Sequence, residues 1–230
     1  MSDFNIVSIR KGFIAATPIM LGYFPVAMAF GLLANNIGIN MIETLLFSIL
    51  VFAGASQFMA LDLISAGVLY GNIILSTLLL NLRHMMMSAS LALKIKESRR
   101  SRLLFIAFGV TDETFAVASL SEEEITTPFI LSLNGFSYLA WVGGTISGYL
   151  VGAILPKAVQ SSLGIGLYAM FVAIITPEIR KSLRVLALFA LSGGIYFIIA
   201  FYKLMPSGWD LIVTIITSSV LGAFVFKEEE

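Results

Sequence analysis

The chain has no cysteine, which excludes a disulfide framework and a thiolate metal site. It has little charge: Asp, Glu, Lys and Arg make up 12% of its 230 residues, against about 25% in soluble domains. Such a chain cannot clothe a water-facing surface. The charges cancel, 14 basic against 14 acidic, so net charge points to neither nucleic acid nor an acidic partner. There is one histidine, His84, and no set of residues for a metal. No Walker A pattern is present, so no ATP site is expected in this chain. The first apolar run has no small-residue cleavage site, so an uncleaved multi-span protein is expected. No cofactor is expected.

What the chain has is apolar length. Hydrophobic residues make up 58% and mean hydropathy is +0.96, so the solvent is a lipid bilayer. A helix needs about 20 apolar residues to cross the hydrocarbon core. Eight apolar segments can be drawn: 12–42, 44–66, 72–93, 103–120, one within 128–155, 163–176, 184–203 and 210–226. The expected fold is an all-α polytopic membrane protein of about 6–8 transmembrane segments, some discontinuous, in a single domain over residues 1–230.

The polar residues inside these segments are the functional candidates, because a charge at bilayer depth costs at least about 2.5–3.5 kcal/mol. Asn81, Arg83 and His84 interrupt the third segment and are expected to face the protein interior. Asp112 and Glu113 interrupt the fourth as Thr111-Asp112-Glu113-Thr114, either as buried functional acids or at a broken span. Ser56 and Gln57 follow the small residues Gly54 and Ala55, which let another helix approach closely. In the first segment Pro18, Gly22 and Pro25 are expected to make the helix irregular, either as a kinked span or as a helix break that exposes backbone groups to a ligand.

A weak internal repeat sets Gly54-Ala55-Ser56 before Asn81-Leu82-Arg83-His84, and Gly143-Gly144-Thr145 before Pro177-Glu178-Ile179-Arg180. Three-segment halves, 12–93 and 103–180, would be inverted relative to each other. Basic residues at Lys94, Lys96, Arg99, Arg100 and Arg102 mark a cytoplasmic segment. Arg10 and Lys11 ask for the same side, yet three spans would separate the two groups. Either the larger cluster sets the orientation or one of the first three segments turns back, and the prolines make 12–36 the candidate for turning back.

Taken in order, these motifs resemble the AzlC family, the large subunit of bacterial branched-chain amino-acid exporters. The residues that carry the resemblance are Pro18, Gly22 and Pro25 with Phe30-Gly31; Phe52-Ala53-Gly54-Ala55-Ser56-Gln57-Phe58; Asn81-Leu82-Arg83-His84; Thr111-Asp112-Glu113; and Trp141 with Gly143-Gly144-Thr145. The resemblance implies an inner-membrane exporter of leucine, isoleucine or valine. It also implies a separately encoded small membrane subunit of the AzlD type. One departure is Met85-Met86-Met87, where the family commonly has an aromatic residue soon after Arg-His.

A zwitterionic substrate needs an anion site, a cation site and an apolar slot. Arg83 offers a planar fork for a carboxylate. Asp112 and Glu113 are suited to hold an ammonium group or carry a proton, and His84 to relay one. Proton-coupled antiport is the expected mechanism, with Arg83 close enough to an acid to sense its charge. Two rival classes are a non-transporting structural subunit and an intramembrane hydrolase built on Ser56 and His84; the latter lacks a G-x-S-x-G elbow, and the chain is not read as an enzyme.

Overall fold

In a computed structural model, residues 6–95, 99–119, 121, 125–152, 172, 176, 179–180, 182–205 and 209–225 are described. Among them the chain is helical: α1 Ile6–Asn36, α2 Met41–Leu50, α3 Gly54–Ser65, α4 Tyr70–Ala92, α5 Arg100–Phe108, α6 Asp112–Ser119, α7 Thr127–Gly152, α8 Leu183–Phe201 and α9 Trp209–Val225. Three helices, α1, α7 and α8, are long and apolar enough to cross a membrane by length and composition. Most of the sixth apolar segment, and Pro177 and Glu178 of the second repeat motif, lie outside the described residues. So does Lys96.

The chain divides into two units, one of residues 1–58 and 81–166, the other of 59–80 and 167–230. In the second unit α8 and α9 pack together, Leu188 lying against Gly222. The first unit carries the polar candidates.

Its spine is α1 against α7. Phe24 meets Gly144, Met28 meets Gly148 and Leu32 meets Gly152. The contact advances four residues at a time along both helices, so the two run parallel. Small residues allow this approach: a Cβ on Gly144 would lie 2.5 Å from the Phe24 carbonyl oxygen.

The expected helix break at Pro18, Gly22 and Pro25 is not there. α1 is continuous through all three. Their spacing puts them on one face of the helix, and all three are exposed. The hydrogen bonds that the prolines remove therefore belong to the outer side of α1 rather than to the interior, and the helix carries both imino acids without interruption.

The second apolar segment, expected to be one span, folds back on itself. α2 stops at Leu50 and α3 starts at Gly54. Across this turn Gln57 Nε2 donates to Ser48 Oγ at 3.0 Å, and Phe47 and Phe58 both lie against Phe30, at 6.3 and 5.6 Å between ring centroids. Residues equidistant from the tip thus meet, which defines a hairpin. α2 enters from the end where α1 and α7 finish, since Tyr149 donates to the Ile39 carbonyl.

The fourth segment is a second hairpin, broken at Gly109–Thr111 rather than at the acids. Arg83 meets Asp112, and eleven residues on, Lys94 Nζ donates to the Ser119 carbonyl at 3.2 Å. The second half of α4 and α6 therefore run the same way. Six Cα-to-Cα steps join Lys94 to Arg100 and reach at most about 20 Å, so α5 starts at the Lys94 end and runs against α6. On α7, Asn134 holds Ile106 and Tyr138 meets Phe108. α5 thus climbs from the end where α7 begins.

The two hairpins enter from opposite ends. With 10 residues in α2 and 9 in α5, each leg is about 13–15 Å long, half the hydrocarbon core. The tips meet midway, Phe52 lying 6.5 Å from Phe108 between ring centroids. The segment that turns back beside α1 is thus 41–65, not 12–36. With it turned back, Arg10 and Lys11 come to the same end of the unit as Lys94, Arg99, Arg100 and Arg102.

Candidate functional site

At the tip of α5–α6, backbone groups are satisfied from within. Thr111 precedes α6 and Thr114 ends its first turn. The Thr114 amide donates to Thr111 Oγ1 at 3.3 Å and the Thr111 amide donates to Thr114 Oγ1 at 2.8 Å. This is a reciprocal cap with threonine in the place usually held by glutamate. On the α5 side, Asn134 of α7 donates to the Ile106 carbonyl at 3.0 Å. Gly109 is required beneath it, because a Cβ there would sit 2.5 Å from the Asn134 Cβ.

Asp112 and Glu113 occupy the first turn of α6, where the positive end of the helix dipole favours acids. Asp112 Oδ2 lies 2.9 Å from Arg83 Nη2. Glu113 Oε2 meets the hydroxyl of Tyr23, which is also 2.7 Å from Thr111 Oγ1. A phenol has one proton, so these contacts admit two arrangements. Tyr23 donates to an ionised Glu113 while Thr111 donates to Tyr23, or Tyr23 donates to Thr111 while a protonated Glu113 donates to Tyr23. Arg83 and Asp112 are 37% and 29% exposed, so the pair is reachable rather than sealed.

The tip of α2–α3 holds no charge. The Ile49 carbonyl accepts from the Tyr138 hydroxyl at 3.0 Å. Trp141 lies over Gly54, its Cη2 2.6 Å from where a Cβ would be. Ser56 Oγ donates to Asn81 Oδ1. Gln57 reaches Ser48, which lies 2.7 Å from Thr145 Oγ1. Phe52 stands edge-on to Tyr23 and Tyr138 at 6.1 and 5.2 Å. One face of α7, carrying Asn134, Tyr138, Trp141 and Thr145, therefore serves both tips.

Of the residues singled out in the sequence, Arg83 and Asp112 come together, with Glu113 beside them. Ser56 and Asn81 form a second pair. Gln57 belongs to a separate buried cluster with Ser48 and Thr145. His84 is half-buried on the turn of Arg83 but takes no part in the Arg83–Asp112 or Tyr23–Glu113 contacts. Ser56 gives its proton to Asn81 and not to His84, which leaves the imagined hydrolase pair unassembled. Pro18, Gly22 and Pro25 contribute no backbone group. Tyr23 was missed, although a phenol in the middle of an apolar segment is a signal, since a buried tyrosine hydroxyl needs a partner. Among the described residues no cluster suits a metal ion.

The family model described as AzlC protein matches residues 18–155, from the first proline of α1 past the end of α7. The chain belongs to the AzlC family. An uncharacterized membrane protein of Archaeoglobus fulgidus is 39% identical over 94% of each chain. The inner membrane protein YgaZ of Escherichia coli is 31% identical over 77% of this chain and 76% of its own. The branched-chain amino acid transport protein AzlC of Bacillus subtilis is 25% identical over 75% of this chain and 68% of its own. No solved structure matches the chain. Family and relatives mark this AzlC-family chain as a membrane protein of a transport family, and both hairpins and all the polar contacts above fall within or beside the matched stretch.

Proposed function

We propose that the protein exports branched-chain or similarly apolar amino acids across the cytoplasmic (inner) membrane by proton antiport, together with a small AzlD-like subunit. The observation that carries this reading is the Arg83–Asp112 pair at the hairpin tips, with the Tyr23–Glu113 contact one residue away. With Asp112 ionised, its carboxylate holds the Arg83 guanidinium. Protonation of Asp112 removes that hold and leaves the fork to a substrate carboxylate. An interaction of one pKa unit is about 1.4 kcal/mol, or tenfold in affinity, so a modest coupling suffices. Glu113, Tyr23 and Thr111 offer a route by which a proton reaches or leaves the tip. Basic residues at the end where α1, α5 and α7 begin support placing that end in the cytoplasm.

The test is labelled-leucine flux in proteoliposomes with an imposed pH gradient, with and without the small subunit. The expected result is flux that follows the gradient in the wild type and loses its pH dependence in Asp112→Asn. Flux indifferent to pH in the wild type would refute proton coupling. Absence of leucine flux under every condition would refute the transport reading itself.

A further inference from the structure

We infer that Glu113 is where the transported proton is held, and that Tyr23, Thr111 and Thr114 position it there. This rests on the transport reading above. It gives the proton a place while Arg83 is still paired to Asp112.

A row of hydroxyls runs from Glu113 to the break in the α5–α6 hairpin. The Tyr23 hydroxyl meets Glu113 Oε2 on one side and lies 2.7 Å from Thr111 Oγ1 on the other. Thr111 Oγ1 lies 3.2 Å from Thr114 Oγ1, which donates to the Gly109 carbonyl at 3.1 Å. Tyr23, Thr111 and Thr114 are all buried, and a buried donor left without an acceptor at bilayer depth is costly. Each hydroxyl has one proton to give and two lone pairs to receive with.

With Glu113 ionised, Tyr23 donates to it, Thr111 donates to Tyr23, and Thr114 donates to Gly109. With Glu113 protonated, the row turns round. Glu113 donates to Tyr23, Tyr23 to Thr111, Thr111 to Thr114, and Thr114 still to Gly109. Thr111 Oγ1 then accepts from Tyr23 and from the Thr114 amide. Thr114 Oγ1 accepts from the Thr111 hydroxyl and the Thr111 amide. Both lone pairs of each oxygen are filled. No donor in the row is stranded in either state, and no heavy atom has to move.

Asp112 has no such row. Its Oδ2 lies 2.9 Å from Arg83 Nη2, and Arg83 Nε is already buried without an acceptor among the described residues. A proton on Asp112 therefore strips the guanidinium of its carboxylate, whereas a proton on Glu113 strips nothing. The other groups around Glu113 leave this contrast intact. α1 brings Tyr23, and α4 brings Arg83 and His84. From α7 comes the Tyr138 phenol, committed to the Ile49 carbonyl. The α2–α3 tip holds no charge. Arg100 and Arg102 stand at the far end of α5, and Lys94 at the far end of α6.

Glu113 is thus loaded first. When a substrate carboxylate takes Arg83, Asp112 is left without its cation and receives the proton. The O–H bond at Glu113 Oε2 breaks, one forms at Asp112 Oδ2, and Tyr23 turns its proton back to Glu113. Arg83 and Asp112 are 37% and 29% exposed, so water reaches the tip to carry the proton across.

The test is infrared difference spectroscopy of the full chain in lipid nanodiscs, stepped in pH. A protonated carboxyl has a C=O stretch that a carboxylate lacks. The expected result is a titrating C=O band that is lost in Glu113→Gln, kept in Asp112→Asn and shifted in Tyr23→Phe. A full set of bands in Glu113→Gln overturns the proposal, and an unshifted band in Tyr23→Phe overturns the role of the phenol. Glu113→Gln keeps a donor to Tyr23, and Tyr23→Phe keeps the ring edge-on to Phe52 and Trp141, so both are expected to fold. Ring-deuterated tyrosine in the wild type reads the same event without substitution: a phenol C–O band is expected to shift over the same pH step, and a silent phenol overturns the relay. In proteoliposomes, pH-driven leucine flux is expected to fall about tenfold or more in Glu113→Gln, as one pKa unit of lost coupling implies; undiminished flux overturns the proposal. A titrating Glu113 band in a protein that carries no leucine refutes the transport reading and leaves the proton site standing.

Discussion

The tips of the two hairpins face the same physical problem and answer it differently. Each ends one helix and begins another in the middle of an apolar slab, leaving carbonyls and amides without helical partners. At both tips α7 supplies a side-chain donor to a carbonyl near the end of the first helix, Asn134 to Ile106, which also accepts from the Gly109 amide, and Tyr138 to Ile49. The amides are where they part. α6 caps itself with Thr111 and Thr114 and carries acids bound to Arg83 and Tyr23. α3 has Phe52 and Ala53 in front of it and nothing to cap with. The charged tip is closed on itself, whereas the neutral tip has no side-chain cap of its own and is covered by Trp141 on Gly54.

This comparison can be broken in four ways. The largest expected effect is that of Asp112→Asn. It removes the acid that holds Arg83, and pH-driven leucine flux per amount of membrane protein is expected to fall at least about tenfold; wild-type rate and pH dependence would mean that the charged tip is only a fastener. Next comes Ala53→Asp, which makes the neutral tip resemble the charged one. A built-in carboxylate then caps α3, worth about 1 kcal/mol of stability. The expected outcome is a higher melting temperature; an unchanged or lower one would mean that α3 gains nothing from a cap. Third, Asn134→Leu takes the side-chain donor from Ile106, for a loss of about 1–2 kcal/mol in thermal or denaturant unfolding. The smallest effect is that of Tyr138→Phe, which strips one hydroxyl from Ile49 and is expected to cost about 1 kcal/mol. If Tyr138→Phe is the more damaging of the last two, α7 does not support the tips in the order argued.

The chemistry of the site was more legible in the sequence than its geometry. Arg83 and Asp112 stood out because charge in an apolar run has few explanations, and their meeting follows from the short link between their segments. The interruption in 103–120 was visible for the same reason, although the acids drew attention to 111–114 when the chain breaks just before them, at Gly109. The turn at Val51–Ala53 was hidden. Nothing in Val-Phe-Ala resembles a helix breaker, and the break is sustained by distant partners, Trp141 on Gly54 and Tyr138 on Ile49. The prolines misled for the opposite reason. Their local effect is real, but both sit on the outer face of α1, where a missing hydrogen bond disturbs no packing. Tyr23 lies on the inner face of that helix, and its importance comes from Glu113, 90 residues away.

The close seating of α1 on α7 also decides which parts of the protein can move. Gly31 lies under the Thr145 carbonyl and Gly148 under the Met28 carbonyl. Backbone seated on backbone in this way offers no side chains to repack, and the ridges of one helix can shift in the grooves of the other only by a whole turn, about 5.4 Å. α1 and α7 therefore behave as a stator. In the proposed transport cycle the working strokes would fall to the two hairpins and to α4, which reach this pair through side chains. In hydrogen-exchange terms, the amides of α1 and α7 beside the glycine contacts are the slowest of the unit to exchange, and those of 50–57 and 109–114 are the ones whose protection changes when the cycle is driven.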